Sequence, residues 1–122
     1  MNNLNAILIK LLQYCPEIDA AVISTEKGEL ITFEPGDFKS PSNVGSFVSS
    51  VMEKGINGLK DIGYGELVEA VLRGDNGYII IYRIKNNLFL TILATKEGDF
   101  KRMFRIIRLA ASGIEKISHI NY

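Results

Sequence analysis

Cysteine, histidine and tryptophan are almost missing from this 122-residue chain, which has one, one and none of them. Cys15 has no second cysteine for an internal disulfide or for a paired-cysteine zinc set, which points to a reducing compartment. His119, the only imidazole, lies near the C-terminus on the polar side of its helix, and nothing in the sequence places it with Cys15 or a serine, so a nucleophile-base arrangement has no base. An excess of either charge is also missing: 14 basic side chains face 14 acidic ones. With an isoelectric point near 6.6, the chain lacks the basic character of a nucleic-acid binder. No run reaches the ~18 apolar residues of a membrane span. Met1 to Tyr14 is apolar but has no basic leader and is interrupted by Asn2, Asn3, Asn5 and Lys10, unlike a signal core. No Asn-x-Ser/Thr site occurs. These absences place the protein in the cytoplasm. Phosphate-binding loops of the Gly-x-x-x-x-Gly-Lys-Ser/Thr or Gly-x-Gly-x-x-Gly type are missing too, so no catalytic residue, metal or cofactor is expected.

What is present is a 47% apolar, 23% charged composition, enough for a chain of this size to hide roughly two-thirds of the surface it would expose unfolded. No repeat, low-complexity tract or linker divides it, and one domain over residues 1–122 is expected. Leu4, Ile7, Leu8, Leu11 and Leu12 recur at helical spacing and stop before Pro16, with Asn2 or Asn3 as cap. Ala20–Thr25 and Glu29–Phe33 flank Glu26-Lys27-Gly28 as a hairpin. A loop over Glu34–Lys39 leads to Ser40-Pro41, a capping residue followed by proline at the first helical position. From there Val44, Phe47, Val48, Val51, Met52, Ile56, Leu59 and Ile62 form a stripe about half the helix circumference wide, more than the ~100° that covers one sheet face. Gly45, Gly55 and Gly58 in or beside it lower helix propensity but admit a close backbone.

Three further strands are predicted at Glu66–Arg73, Tyr78–Ile84 and Leu88–Thr95, joined by Gly74-Asp75-Asn76-Gly77 and Lys85-Asn86-Asn87. The tripeptide Arg73-Gly74-Asp75 belongs to that first turn. The last two strands are nearly continuous in apolar residues and need cover on both faces, which puts them mid-sheet. Glu66 and Glu69 suit the first to an edge. Asp99 caps a last helix to about Ile120, buried through Phe100, Met103, Phe104, Ile107, Ala110, Ala111, Ile114 and Ile117. The fold class is α+β, in the order α-β-β-α-β-β-β-α, with a five-stranded antiparallel sheet and helices on both faces.

An open edge beside a wide apolar stripe invites a second copy to pair across a two-fold axis. The pairing surface is expected at Val44, Val48, Val51, Met52 and Gly55 of the second helix and at Glu66, Leu67, Val68, Glu69 and Val71 of the edge strand. Lys101, Arg102, Arg105 and Arg108 run along the last helix, either as a solvated face offset by Glu97 and Asp99 or as a dock for an acidic protein or anionic headgroups.

Ala20 to Ile31, with its Glu26-Lys27-Gly28 turn, resembles the first hairpin of the Roadblock/LC7 superfamily. Gly65 to Val71 is similar to that family's third strand, and Leu88 to Leu93 to its fifth. The resemblance runs over essentially the whole chain, and its apolar pattern specifies fold better than activity. It implies a profilin-like Roadblock fold and a homodimer, or a heterodimer with a second Roadblock-type protein, joined through third strands and second helices. It further implies a Ras-like small GTPase as partner, with membrane contact only indirect. Stand-alone prokaryotic members of the family are associated with such GTPases, and some promote GTP hydrolysis without supplying a catalytic arginine. As the sequence is close to the length of one such domain, a GTPase is expected to meet the domain surface itself. The polar side of the second helix, Ser46, Ser49, Ser50, Glu53, Lys54, Asn57 and Lys60, is the expected docking face, or else plain solvent-exposed surface. Arg73, Arg83, Arg102, Arg105 and Arg108 could act as a finger in trans only if a loop presented one of them. Two other readings stand beside this one: a structural adaptor of the dynein light-chain or membrane-scaffold kind, and a small-ligand sensor, which would need an internal pocket.

Overall fold

A computed structural model describes residues 3–85, 87–95 and 98–121, with side chains of the last helix given up to Ile117. Asn2, Glu97 and the His119 side chain, all invoked above, lie outside the described set. The elements follow the expected order: α1 (Asn3–Tyr14), β1 (Ile18–Thr25), β2 (Leu30–Glu34), α2 (Pro41–Asp61), β3 (Glu69–Gly74), β4 (Gly77–Ile84), β5 (Leu88–Ala94) and α3 (Phe100–Asn121). The five strands form one sheet in the order β2-β1-β5-β4-β3, and every neighbouring pair is antiparallel.

The nearly continuous apolar runs are explained by cover on both faces. Leu88, Leu90 and Ile92 of β5 and Ile80 of β4 enter a core with Leu4, Leu8 and Leu11 of α1 and Met103, Ile107 and Ile114 of α3. Phe89 and Ile81, one residue out of phase, enter a smaller core with Val48, Met52 and Leu67 beneath α2. Alternate residues of a strand point to opposite faces, so an unbroken run fills both layers at once. The start of α3 is capped as expected, with the Arg102 backbone N–H donating to Asp99 Oδ1 at 3.1 Å.

The structure corrects two expectations and makes a third specific. Ser40 precedes α2 but adopts left-handed φ of 65°, and its hydroxyl makes no capping bond; its carbonyl instead accepts from the Asn43 and Val44 N–H groups. The left-handed backbone at Ser40 departs from the extended one in which a capping side chain reaches the N–H groups of the first turn. The strand expected from Glu66 begins three residues later, at Glu69, because Leu67 tucks under α2, only 6% exposed. The glycines of α2 also serve the chain's own packing. A Cβ on Gly45 would stand 2.5 Å from the Gly28 carbonyl oxygen and one on Gly55 2.7 Å from Leu67 Cδ1, whereas Gly58 faces open space. Only Gly58 is therefore free to admit a second backbone. The contact at Gly45 sets α2 directly on the β1–β2 turn, where the Ser49 hydroxyl donates to the Glu26 carbonyl at 2.6 Å and Gly28 takes positive φ.

Candidate protein interaction surfaces

Among the described residues β3 bonds only to β4, and no strand lies beside its outer row of backbone groups. On the same flank α2 turns one shoulder of its stripe outward. Phe47 and Val71 are each 46% exposed, and Ile62, Tyr64, Val68 and Leu72 are exposed as well. An open, mainly apolar groove of about 480 Å³ runs between Phe47, Leu72, Ile79 and Leu93. Monomers usually scatter such residues rather than gather them beside a free strand edge.

The residues expected at the pairing surface divide by location. Val44 and Val51 stand half-buried on the outward shoulder, and Val68 and Val71 are exposed along the edge, Val71 on the sheet face opposite α2, where its register partner Ile80 enters the α1–α3 core. Val48 and Met52 are fully buried and Leu67 nearly so, inside the protomer's own α2 core. Gly55 makes room for Leu67. Glu69 is held by Arg108 at 3.8 Å, and Glu66 by Lys60 at 3.5 Å. Sequence reasoning left Phe47, Ile62, Tyr64 and Leu72 out of this surface. Phe47 and Ile62 belonged to the stripe, but a periodic pattern shows how wide a stripe is and not which shoulder the sheet covers.

The polar side of α2 carries a chain of charges. Arg83 of β4 lies 3.4 Å from Glu26 and 3.7 Å from Glu66, and Glu66 reaches Lys60. Glu26, Glu53, Asn57, Ile56, Phe89 and Arg83 line a shallow cavity of about 290 Å³ there. Ser46, Glu53, Asn57 and Lys60 are exposed, while Ser49 is spent on the Glu26 carbonyl. These partly exposed ion pairs are worth at most about 1 kcal/mol each and order the surface more than they stabilise the fold.

The basic run on α3 is divided by the fold. Arg102 donates to the Tyr14 carbonyl and pairs with Glu17 at 3.6 Å; Arg108 pairs with Glu69. Lys101 and Arg105 are exposed with no acidic partner among the described residues. Cys15 is fully buried. Burial pushes its thiol pKa up, the Arg102 charge offsets part of that, and Glu17 adds to it. Among the described residues no three His, Cys, Asp or Glu side chains gather as a metal site, and no helix is long and apolar enough to cross a membrane.

The Roadblock/LC7 domain profile matches residues 4–94. Among solved structures, the chain is similar to a Roadblock/LC7 domain from Streptomyces avermitilis, with 16% identity over 93% of this chain and 96% of that one and a TM-score of 0.87. It is also similar to MglB of Myxococcus xanthus, with 14% identity over 98% and 97% of the two chains and a TM-score of 0.89. A structure described as MglB with a tetrameric arrangement gives 13% identity over 98% and 90%, with a TM-score of 0.89. At these identities the structural likeness shows the fold alone. No curated protein matches the sequence.

Proposed function

Because the chain belongs to the Roadblock/LC7 domain family, we propose that residues 1–122 act as one non-catalytic Roadblock unit that pairs with a second copy, or with another Roadblock-type chain, and binds and regulates a Ras-like small GTPase. One observation carries the pairing: the free edge of β3, with Leu72 exposed on the α2 face and Val71 on the other, runs beside the exposed Phe47 shoulder of α2. Two such flanks related by a two-fold axis would extend the sheet through β3 and cover both apolar shoulders. Val44, Val51, Val68 and Val71 would lie in that contact beside Phe47, Leu72 and Gly58. Val48, Met52 and Leu67 would support it from beneath.

The docking face for the GTPase is assigned to the polar side of α2, through Glu53, Asn57, Lys60 and Ser46, with the Glu26–Arg83–Glu66 chain along its border. Charged side chains there would steer encounter and set specificity. The test is GTP hydrolysis and binding by the host's Ras-like GTPases with and without the protein. Glu53→Lys or Lys60→Glu is expected to weaken binding about tenfold while sedimentation shows the pair intact. Unchanged affinity in both variants would move the docking face elsewhere. The alternative is a structural adaptor that leaves nucleotide state alone; the ion pairs that hold Arg83, Arg102 and Arg108 remove these three as fingers but do not separate the two readings, because hydrolysis can be promoted without an arginine in trans. Unaltered hydrolysis with retained binding would establish that reading.

A further inference from the structure

We propose that the cleft between α1 and α3, on the sheet face opposite α2, binds an amphipathic helical segment of a partner protein that is apolar along one face and acidic along its flanks. The cleft is about 460 Å³ and is floored by Ile7, Leu11, Ile106 and Ala110. Tyr14 rises from one wall and Leu109 from the other, and Leu109 is 69% exposed although the other large apolar side chains of α3 among the described residues turn inward. Gly113 lets α3 come against Ile7, where an added Cβ would meet Ile7 Cδ1 at 3.3 Å. A trough with an apolar floor between two helices is the shape that receives the ridge of a third, through anchors one helical turn apart.

Charge selects the kind of helix. The whole chain is neutral, yet α1 and α3 together hold six basic side chains and one acidic. That acid, Glu115, leans away to Lys85. Arg102 and Arg108 are paired, which leaves Lys10, Lys101, Arg105 and Lys116 exposed with no acidic partner among the described residues. Lys10 lines the cleft, and Arg105 and Lys116 lie on the Leu109 side of α3, four residues before it and seven after, the spacing of one helical stripe. Basic rims on an apolar trough are complementary to acidic flanks on an apolar ridge. A flat anionic bilayer would neutralise the same cations but would leave the concave floor unfilled.

The proposal is tested with a display library of helical peptides whose core and flanking positions are randomised, selected on the intact protein. Selected peptides are expected to carry apolar residues at helical spacing between Asp or Glu flanks. Their affinity should fall about tenfold or more in Leu109→Asp and in the Lys10→Glu/Arg105→Glu double variant, and as steeply when their own flanks are changed to Lys. These positions are exposed, and an unchanged melting transition confirms that the variants fold. Sedimentation should be unaltered as well, since the pairing flank lies across the sheet. Selection of no peptide, of peptides without acidic flanks, or of peptides insensitive to both variants would overturn the proposal. So would Leu109-dependent binding to phosphatidylserine vesicles with no peptide selected, which would assign the surface to a membrane.

Discussion

Two hydroxyls sit in the core beneath α2 without hydrogen-bond partners among the described residues, Ser24 Oγ on β1 and Thr91 Oγ1 on β5, and both residues are fully buried. A buried unpaired hydroxyl loses its water and gains nothing, a cost of about 1–3 kcal/mol. Thr91→Val keeps the shape and removes the hydroxyl, so it is expected to raise unfolding stability by about 1 kcal/mol in urea titration; a loss of stability would show that the hydroxyl is bonded. Cys15 makes a second residue-scale prediction. Desolvation raises its pKa in the folded state, so the folded chain favours the protonated thiol. Its contribution is complete below the ordinary thiol pKa and declines as pH climbs above it. Denaturation midpoints should therefore fall more steeply with pH on the alkaline side for the natural protein than for Cys15→Ala. Alkylation by iodoacetamide at pH 8 should be slow until the chain is unfolded.

At the scale of elements, α2 meets the β1–β2 turn backbone against backbone at Gly45 and Gly28. Gly45→Ala would drive a methyl into the Gly28 carbonyl, backbone against backbone, and is expected to cost about 1–3 kcal/mol. Gly58→Ala meets nothing within the protomer and should add up to about 1 kcal/mol of helix propensity to a single chain; thermal melts of the two variants, each combined with Phe47→Asp so that single chains are compared, are expected to shift in opposite directions. All eight elements were legible in the sequence, because each carries a period, a cap or a turn that is local. What could not be read there depends on where one element falls against another. Glu66-Leu67-Val68 continues the alternation of a strand, yet Leu67 is drawn under α2 by the space at Gly55, and Glu66 is taken by Lys60 and Arg83 from two other elements. The glycines of α2 showed that some backbone comes close but not whose. For the same reason only the exposure of the expected pairing residues could be compared: Val68 and Val71 are open to solvent, whereas Val48, Met52 and Leu67 lie in the core beneath α2.

For the whole molecule, a stable pair needs about 800 Å² buried on each partner. Phe47→Asp and Val71→Asp each set a charge in the proposed contact at a position already exposed to solvent, so the fold should survive. Sedimentation of the natural protein at tens of micromolar is expected to show pairs and of either variant mainly single chains; single chains in the natural protein would refute the pairing. The two margins of the sheet are unlike. β3 is open, whereas β2 is only five residues long, has a register shift opposite it between Ile23 and Ser24, leans on α1 through Asn5 and Thr32 and runs into Pro35, which has no N–H to offer. A unit with one open margin and one blunted margin would use up its capacity to add strands after a single encounter, so the proposed β3 pairing would end at two chains, with no fibre propagating along the sheet.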